Sequence, residues 1–244
     1  MSRYGNLIYG GVDSGDFGIY VVDVNDSDMP SRDYSAFSIP GKTRDLHYDN
    51  GRYNNIDRIY KCIVFSLGGR KASEIVTDYI SRIMPIKGYQ RIEDSIHREY
   101  YKMGEYRGGT VPNLSSSKDG AEFELAFDCD PRKYLRTGEE EVSLSAGTTA
   151  LFNPGSEESR PLLRISGSGT IQFGGVTMTI AAHTGVMVID CELGDAYSET
   201  GHTNYNEYVT LNGEGEFPVL APGSNNVVVS GLSLCMMAPR WCRL

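Results

Sequence analysis

The chain has 244 residues and a formal net charge of −9; it is long enough for two domains, and no stretch is long and apolar enough to predict a membrane-spanning helix. Residues 1–138 carry 19 basic and 20 acidic side chains, whereas residues 139–244 carry 4 and 12, and the acidic second half disfavours sequence-specific nucleic-acid binding and membrane insertion. The five cysteines are scattered without a Cys-x-x-Cys pair, which disfavours a zinc site or disulfide framework and fits synthesis in a reducing cytoplasm.

The first half predicts β-structure. Residues 18–24 (GIYVVDV) are β-branched and aromatic and predict a strand. The stretch 37–46 (FSIPGKTRDL) contains the Gly-Lys-Thr of a phosphate-binding loop, but Ala36 stands where that motif needs its first glycine, and no helical pattern follows. Because Pro40 removes a backbone N–H donor, Pro40 and Gly41 indicate a structural turn rather than a nucleotide site.

The next elements are a hairpin and a buried strand. Asn50 and Gly51 form the strongest short-range signal for a two-residue hairpin turn, because both residues tolerate positive φ. This turn would place Tyr48 opposite Tyr53 across two strands. Residues 58–65 (RIYKCIVF) are apolar on both faces and predict a strand buried on both sides.

One helix is predicted, over residues 72–84, where apolar side chains recur at helical spacing until Pro85 ends the pattern. Residues 121–129 (AEFELAFDC) alternate between apolar and acidic side chains and predict a strand with one buried and one solvated face. The charged, glycine- and serine-containing stretch that follows places the predicted boundary between a domain of residues 1–138 and a domain of residues 139–244.

The sequence pattern predicts β-strands throughout the second half. Gly174 and Gly175 predict a hairpin turn that places five apolar residues on one face; they are Ile171, Phe173, Val176, Met178 and Ile180. Further short strands are predicted at 186–190, 207–211 and 226–230. Strands recurring every ten or so residues, separated by Gly, Pro and Asn, predict a β-sandwich or jelly roll.

No catalytic arrangement stands out. The four histidines match no zinc motif. The stretch 166–170 (SGSGT) resembles a nucleophile elbow but lacks its first glycine, which favours a tight turn between strands. Asp190, Glu192 and Asp195 suggest calcium, but without the glycines of a calcium-binding loop a solvated turn is favoured. We therefore expect no enzyme, metal or cofactor, and the 13 of 16 tyrosines before residue 139 favour an assembly protein.

The order of these features resembles the distal tail protein (Dit) family of long, non-contractile-tailed bacteriophages. The likeness runs over almost the whole chain. It is carried by DFGIYVVDV (16–24), FSIPGKTRDL (37–46), GRYNN (51–55), FELAFDCDPRKYL (123–135), NPGSEESRPLLRISGSG (153–169), FPVLAPGSNNV (217–227) and PRW (239–241). The family turn commonly reads Pro-Gly-Arg with a glycine soon after, whereas this chain has Lys42 and no further glycine until Gly51.

The resemblance implies a mainly β protein: an N-terminal domain with one α-helix that forms a hexameric ring, and a C-terminal galectin-like β-sandwich. It implies a virion structural protein at the tail tip or baseplate, synthesised in the host cytoplasm. Such a hub joins the tail tube protein to the tail-tip or baseplate hub protein, supports receptor-binding or accessory baseplate proteins, and catalyses nothing.

Two other readings remain open. A carbohydrate-binding β-sandwich would contact host glycans through Tyr197, Tyr205 and Tyr208, whereas Trp241 is expected to pack under the last strand. A hydrolase on the β-scaffold is the weaker alternative, because no acid–base pair with a nucleophile is visible.

Overall fold

A computed structural model describes residues 5–25, 29–66, 69–109, 120–212 and 215–244. The chain divides into two compact units, residues 1–132 and 133–244. This boundary precedes the predicted one because Lys133–Leu135 is a strand that pairs with Cys242–Arg243, and because Gly138 lies directly against the backbone of Trp241. The protein is mainly β, with 55% of the described residues in strands or bridges. Within the described ranges, no helix is long and apolar enough to cross a membrane.

The first unit is built on one antiparallel sheet with one α-helix. Its elements are β1 (Leu7–Tyr9), β2 (Val12–Asp13), a 3-10 helix (Ser14–Phe17), β3 (Ile19–Asn25), β4 (Arg32–Phe37), β5 (Leu46–Tyr53), β6 (Ile56–Phe65), α1 (Ala72–Ile83), β7 (Gln90–Asp94), β8 (Tyr100–Gly108) and β9 (Gly120–Cys129). Seven strands form the sheet in the order β2-β1-β7-β8-β9-β6-β3, and β4 and β5 form a separate two-stranded sheet.

The first core lies between α1 and the sheet. The apolar stripe of α1 (Ala72, Ile75, Val76, Tyr79 and Ile83) is buried in one cluster with the inward residues of β6 and β9. The helix begins where the Glu74 carboxylate accepts from the backbone N–H of Lys71 at 3.2 Å and ends two residues before Pro85. The predicted helix and the predicted alternation of β9 are therefore both confirmed.

Strand β6 differs from its prediction. Arg58, Tyr60, Cys62 and Val64 are buried, but the alternate side chains are half-buried or exposed, and Phe65 is 49% exposed. The helix covers one face of the sheet, so this antiparallel strand has a single buried face despite its nearly continuous apolar sequence.

A buried ion pair joins β6 to the end of β7. The Arg58 Nη2 lies 2.9 Å from the Asp94 Oδ2, and these side chains are only 2% and 4% exposed. The Tyr60 hydroxyl donates to the same carboxylate oxygen at 3.1 Å, and the backbone N–H groups of Ile96 and His97 donate to the other at 3.0 and 2.7 Å. Burial raises the pKa of Tyr60 well above its ordinary value, so this hydroxyl remains a donor. Both oxygens of the buried Asp94 carboxylate are therefore satisfied by hydrogen-bond donors.

The predicted Asn50-Gly51 hairpin turn is wrong. Both residues lie inside β5, which runs along β4 with Tyr48 opposite Ser35 and Tyr53 opposite Arg32. A register shift marks a β-bulge at this point, and Gly51 adopts φ 73° while its N–H donates to the Asp49 Oδ1 at 2.8 Å. A bulge that contains a left-handed glycine, as this one does, needs the same backbone conformation as a hairpin turn, so the dipeptide signal fits both.

The second unit contains ten strands among its described residues, all paired antiparallel. They are β10 (Lys133–Leu135), β11 (Val142–Ser143), β12 (Gly147–Asn153), β13 (Leu162–Phe173), β14 (Val176–Ile180), β15 (Met187–Asp190), β16 (Asp195–Ser198), β17 (Val209–Leu211), β18 (Gly223–Ala238) and β19 (Cys242–Arg243). Two 3-10 helices, Arg136–Gly138 and Asn206–Tyr208, complete it. The main strand order is β11-β18-β13-β14-β17, with β12 on β18 and β15-β16 on β13.

The long strands β13 and β18 bend and run through both layers of a sandwich. The first part of β13 pairs with β15 and its second part with β14, while β18 pairs along both parts. Register shifts lie at residues 166–170, where Gly167 has φ 90° and Gly231 of β18 has φ 81°. The predicted tight turn at 166–170 is therefore wrong. These residues form bulges within one strand, and the bend folds two layers around one core.

Candidate interaction surface

Within the described chain, one hairpin has no buried residue: it consists of β4, β5 and residues 38–45 between them and is hereafter called the arm. No residue from 29 to 55 is buried. Elsewhere in the described chain, every strand of four or more residues has at least one buried residue. An isolated two-stranded ribbon is marginally stable in water. The arm thus has the character of a segment that gains stability by contacting another surface.

One face of the arm is apolar. Phe37 pairs with Leu46 across the two strands, and Tyr48 lies two residues further along β5 on the same face. These side chains are 55%, 56% and 65% exposed. On the opposite face, Tyr34 stacks on His47 with ring centroids 4.5 Å apart.

The charges of the arm are largely paired internally. Arg32 Nη1 lies 3.0 Å from Asp49 Oδ2, and Arg52 Nε lies 2.6 Å from Asp33 Oδ2. The hydrogen bond from Arg52 lowers the pKa of the Asp33 carboxyl, and a weaker bond from Asn50 assists. With four basic and three acidic side chains between residues 29 and 55, the arm can meet a similar surface without strong repulsion.

The outer edges of the arm are also open. Among the described strands, β4 pairs only with β5 and β5 only with β4. Each outer edge therefore presents backbone N–H and C=O groups to which another strand can be added. An apolar face and two open edges together make the arm suited to binding protein rather than a small molecule.

The predicted turn residues lie at different places. Pro40 and Gly41 form the turn in the arm connection, which the Lys42 N–H closes on the Ile39 oxygen at 3.1 Å, with Gly41 at φ 80°. A strand follows this turn, so no helix N-terminus is present to bind phosphate. Asn50 and Gly51 lie in the bulge of β5. Gly174 and Gly175 connect β13 to β14, with φ 55° and 78° and Phe173 opposite Val176.

The structure separates the three candidate tyrosines of the second unit. Tyr205 and Tyr208 form an edge-to-face pair with ring centroids 5.5 Å apart, both pack against the core, and the Tyr205 hydroxyl donates to the Thr184 oxygen at 3.0 Å. Tyr197 lies on β16 and lines a surface pocket. Trp241 is buried, 7% exposed, as its predicted packing role requires.

The acidic cluster of residues 190–195 has a structural partner. The Arg240 guanidinium contacts Asp190 through two bonds of 2.8 and 2.9 Å. Burial raises the pKa of Asp190, but the bonds from Arg240 and from the backbone N–H groups of Leu193 and Glu192 outweigh it and lower the pKa overall. Among the described residues, no group of three or more His, Cys, Asp or Glu is arranged to hold a metal ion.

Sequence reasoning missed the apolar face of the arm. It pointed to tyrosines in general, whereas Phe37 and Leu46 are more than half exposed beside Tyr48. The alternation of the two strands would have placed the three side chains on one face, had the register of β4 and β5 been known. These side chains are exposed because no other element of the described chain packs on this face, and the local sequence does not encode that tertiary arrangement.

Comparison with solved structures shows which known fold this chain shares. No protein-family model and no curated protein sequence matches the chain. Among solved structures, the crystal structure of the SPP1 Dit protein, described as a paradigm of hub adsorption apparatus in Gram-positive infecting phages, is similar with a TM-score of 0.69 and 16% identity, covering 96% of this chain and 97% of that chain. A chain of the phage P2 baseplate in its activated conformation with Ca has a TM-score of 0.58 and 9% identity, covering 97% of both chains. The strontium form gives 0.57 and 9%, covering 97% and 98%.

Proposed function

We propose that this chain, which has the fold of the phage Dit hub protein over both of its units, is a distal tail protein that forms a homo-hexameric ring at the tail tip. The observation that carries the proposal is the extent of the likeness, 96% of the chain rather than one common β-sandwich. The ring number comes from the family resemblance. In the virion, this ring continues the tail tube above and holds the tail-tip or baseplate hub protein below.

The arm supplies the contact between neighbouring copies. Its face of Phe37, Leu46 and Tyr48 loses water against the next copy, and its open edges offer backbone hydrogen bonds. A stable specific interface buries on the order of 1,000 Å² or more, so the arm acts together with adjoining sheet surface. The near-neutral first half, with 19 basic and 20 acidic residues up to 138, lets six copies approach each other without strong repulsion.

The acidic second unit faces outward and holds the docking surfaces for receptor-binding or accessory baseplate proteins. With 4 basic and 12 acidic residues from 139 onward, six such units repel each other and stay apart until partners bind. This division of charge predicts that raising the salt concentration leaves ring stability nearly unchanged. A ring that forms only in high salt would contradict it.

The proposal assigns no catalysis to the chain. A hub acts through its shape and through contacts with its own copies and with virion proteins. Saturable turnover of a nucleotide, sugar or peptide by the purified chain, abolished by a point substitution, would refute this part of the proposal.

Solution mass tests ring formation. The monomer has a mass of 26.9 kDa, so light scattering coupled to size exclusion should give six times that value at high protein concentration, and negative-stain images should show rings. Phe37→Asp places a charge on the apolar face of the arm and should yield monomers. Phe152→Asp makes the same change at a 67% exposed position of β12 in the second unit and should leave the ring intact. A Phe37→Asp chain that still forms the ring would show that the arm is not the interface.

A further inference from the structure

We propose that the arm of one copy docks on an apolar patch of the next copy's first sheet, with unpaired charges on both surfaces selecting this contact. The inference rests on the proposed ring and names the surface that receives the arm. That surface, hereafter called the β3–β6 patch, lies on the sheet face that α1 leaves uncovered and consists of Tyr20, Val22, Ile63 and Phe65.

A ring needs two different contact surfaces on each chain. In a cyclic assembly of more than two copies, neighbours meet head to tail, so one surface of each copy binds a second, complementary surface of the next. The arm supplies the first of these surfaces, with Phe37, Leu46 and Tyr48 each more than half exposed. The second surface must lie elsewhere on the chain and must offer apolar side chains together with charges opposite to those of the arm.

The pairing of β3 with β6 brings the patch together. Tyr20 lies directly opposite Ile63, and Phe65 follows two residues further along β6 on the same face. Val22 lies in the bulge of β3 beside them. Tyr20 and Val22 are each 37% exposed, and Phe65 is 49% exposed. Because aromatic side chains that are exposed together on one face mark protein contact sites, the patch meets the first requirement.

The charges around the two surfaces meet the second requirement. Lys42 and Arg44 lie in the exposed connection of the arm, and neither forms an ion pair within the described chain. Glu122 and Glu124 lie on β9, the strand beside β6, with Glu122 directly opposite Ile63 of the patch. Neither glutamate has an ion-pair partner among the described residues. Two free cations on one surface and two free carboxylates beside the other complement each other when one copy meets the next.

The remaining charges near the two surfaces do not reverse this match. Asp45 is the single acidic residue of the arm connection, whose net charge therefore stays positive. Lys61 borders the patch on β6, and its Nζ lies 3.2 Å from the Asp23 Oδ2. The border of the patch thus keeps an excess of carboxylates to face the arm.

Apolar contact and charge have different roles at this interface. Burial of the aromatic side chains stabilises the assembled ring, whereas exposed ion pairs stabilise it little. Complementary charges speed association and exclude other orientations, and like charges placed face to face are strongly unfavourable. Salt should therefore slow ring assembly while leaving the formed ring nearly unchanged, and reversing the charges on one surface should prevent assembly.

Charge reversal on the full chain tests the contact, with the mass measured by light scattering after size exclusion. Lys42→Glu with Arg44→Glu should lower the mass from six times 26.9 kDa to 26.9 kDa. Glu122→Lys with Glu124→Lys should do the same. All four substitutions in one chain should restore the ring, because the complementary pairs form again with opposite sign.

A matched control and a chemical cross-link complete the experiment. Arg70→Glu with Lys87→Glu reverses the same number of charges at other exposed positions of the first unit and should leave the ring intact. Arg44→Cys with Glu122→Cys places one thiol on each surface. The five native cysteines are buried, so a bismaleimide should join the new thiols of neighbouring copies and give covalent multiples of up to six chains in a denaturing gel.

The proposal is overturned if either reversal alone leaves the ring intact, or if the control reversal dissociates the ring as fully. If the chain with all four substitutions stays monomeric, the cross-link decides: covalent multiples support the contact, and single chains overturn it. An unmodified chain that forms the ring while its variants fail these tests refutes only the docking surface. An unmodified chain that stays at 26.9 kDa at every concentration refutes the ring as well.

Discussion

Replacing Asp94 by alanine should destabilise the first unit strongly. The substitution removes the carboxylate that the Arg58 guanidinium, 2% exposed, contacts at 2.9 Å, and it removes the oxygen that accepts from the backbone N–H groups of Ile96 and His97. Breaking a buried ion pair by removing one partner costs about 3–5 kcal/mol, because an uncompensated charge stays buried. We expect the free energy of unfolding to fall by about this amount.

The exposed pair Arg70–Asp78 provides a matched control. Its atoms are 3.3 Å apart and its side chains are 50% and 39% exposed, so Asp78→Ala should lower the free energy of unfolding by less than about 1 kcal/mol. Replacing both buried partners, as in Arg58→Met with Asp94→Leu, should recover part of the stability lost in Asp94→Ala, because no unpaired charge then remains.

Urea titration followed by two signals separates the units. Trp241 is the single tryptophan and lies in the second unit, whereas 12 of the 16 tyrosines lie in the first unit, residues 1–132. Asp94→Ala should shift the transition detected by tyrosine fluorescence and leave the tryptophan transition in place. A loss below about 1 kcal/mol, or equal shifts of both transitions, would refute the account of Asp94.

Three further predictions concern packing, pH and thiol chemistry. Gly169→Ala should lower the free energy of unfolding of the second unit by about 2–4 kcal/mol, because a Cβ at this position would lie 2.0 Å from the Ser230 oxygen. Ser168→Ala, at the exposed neighbouring position, should change this free energy little. Urea titration of the two variants tests the difference. Because the pKa of Asp190 is lowered in the folded protein, this group contributes stability above its unfolded pKa of 3.8, and the contribution is lost as the pH falls through the folded pKa. Below about pH 4, the free energy of unfolding of the second unit should therefore decline less steeply in Asp190→Asn than in the unmodified chain. Native protein at pH 8 should resist iodoacetamide and react fully once unfolded, as measured by mass spectrometry, because burial raises the thiol pKa to about 12 in four cysteines, Cys62, Cys129, Cys191 and Cys235.

Elements with a strong local signal were predictable from the sequence. The apolar stripe of α1 encodes both its helical period and its buried face, and Pro85 sets its end. The alternation of β9 and the Gly174-Gly175 turn are likewise local, because a strand of period two and two residues with positive φ need no distant partner to be recognised.

The bulges were not predictable in the same way. Asn50-Gly51 and residues 166–170 carry glycines in the left-handed region, which serve a chain reversal and a bulge equally well. The choice depends on whether the chain continues along the same partner strand. For β13 that partner is β18, about sixty residues later in the sequence. Short-range propensity contains no information about such a pairing.

The candidate surfaces depend even more on tertiary context. Tyr197, Tyr205 and Tyr208 look equivalent in the sequence, yet two of them pack on the core and one lines the pocket. The arm is a similar case, since its exposed apolar side chains belong to strands with an ordinary β composition. Exposure results from the absence of a covering element, and only the assembled fold shows which strands remain uncovered.

The pairing of β10 with β19 has a consequence for how such chains can diversify. Lys133 lies opposite Arg243 in this ladder, so the two ends of the segment between them are adjacent in space. Segments whose ends meet in this way can be replaced or enlarged by another folded module with little disturbance to the remainder. A recombination event that exchanges this segment can therefore give the protein a new second unit while the portion of the chain before it is inherited unchanged.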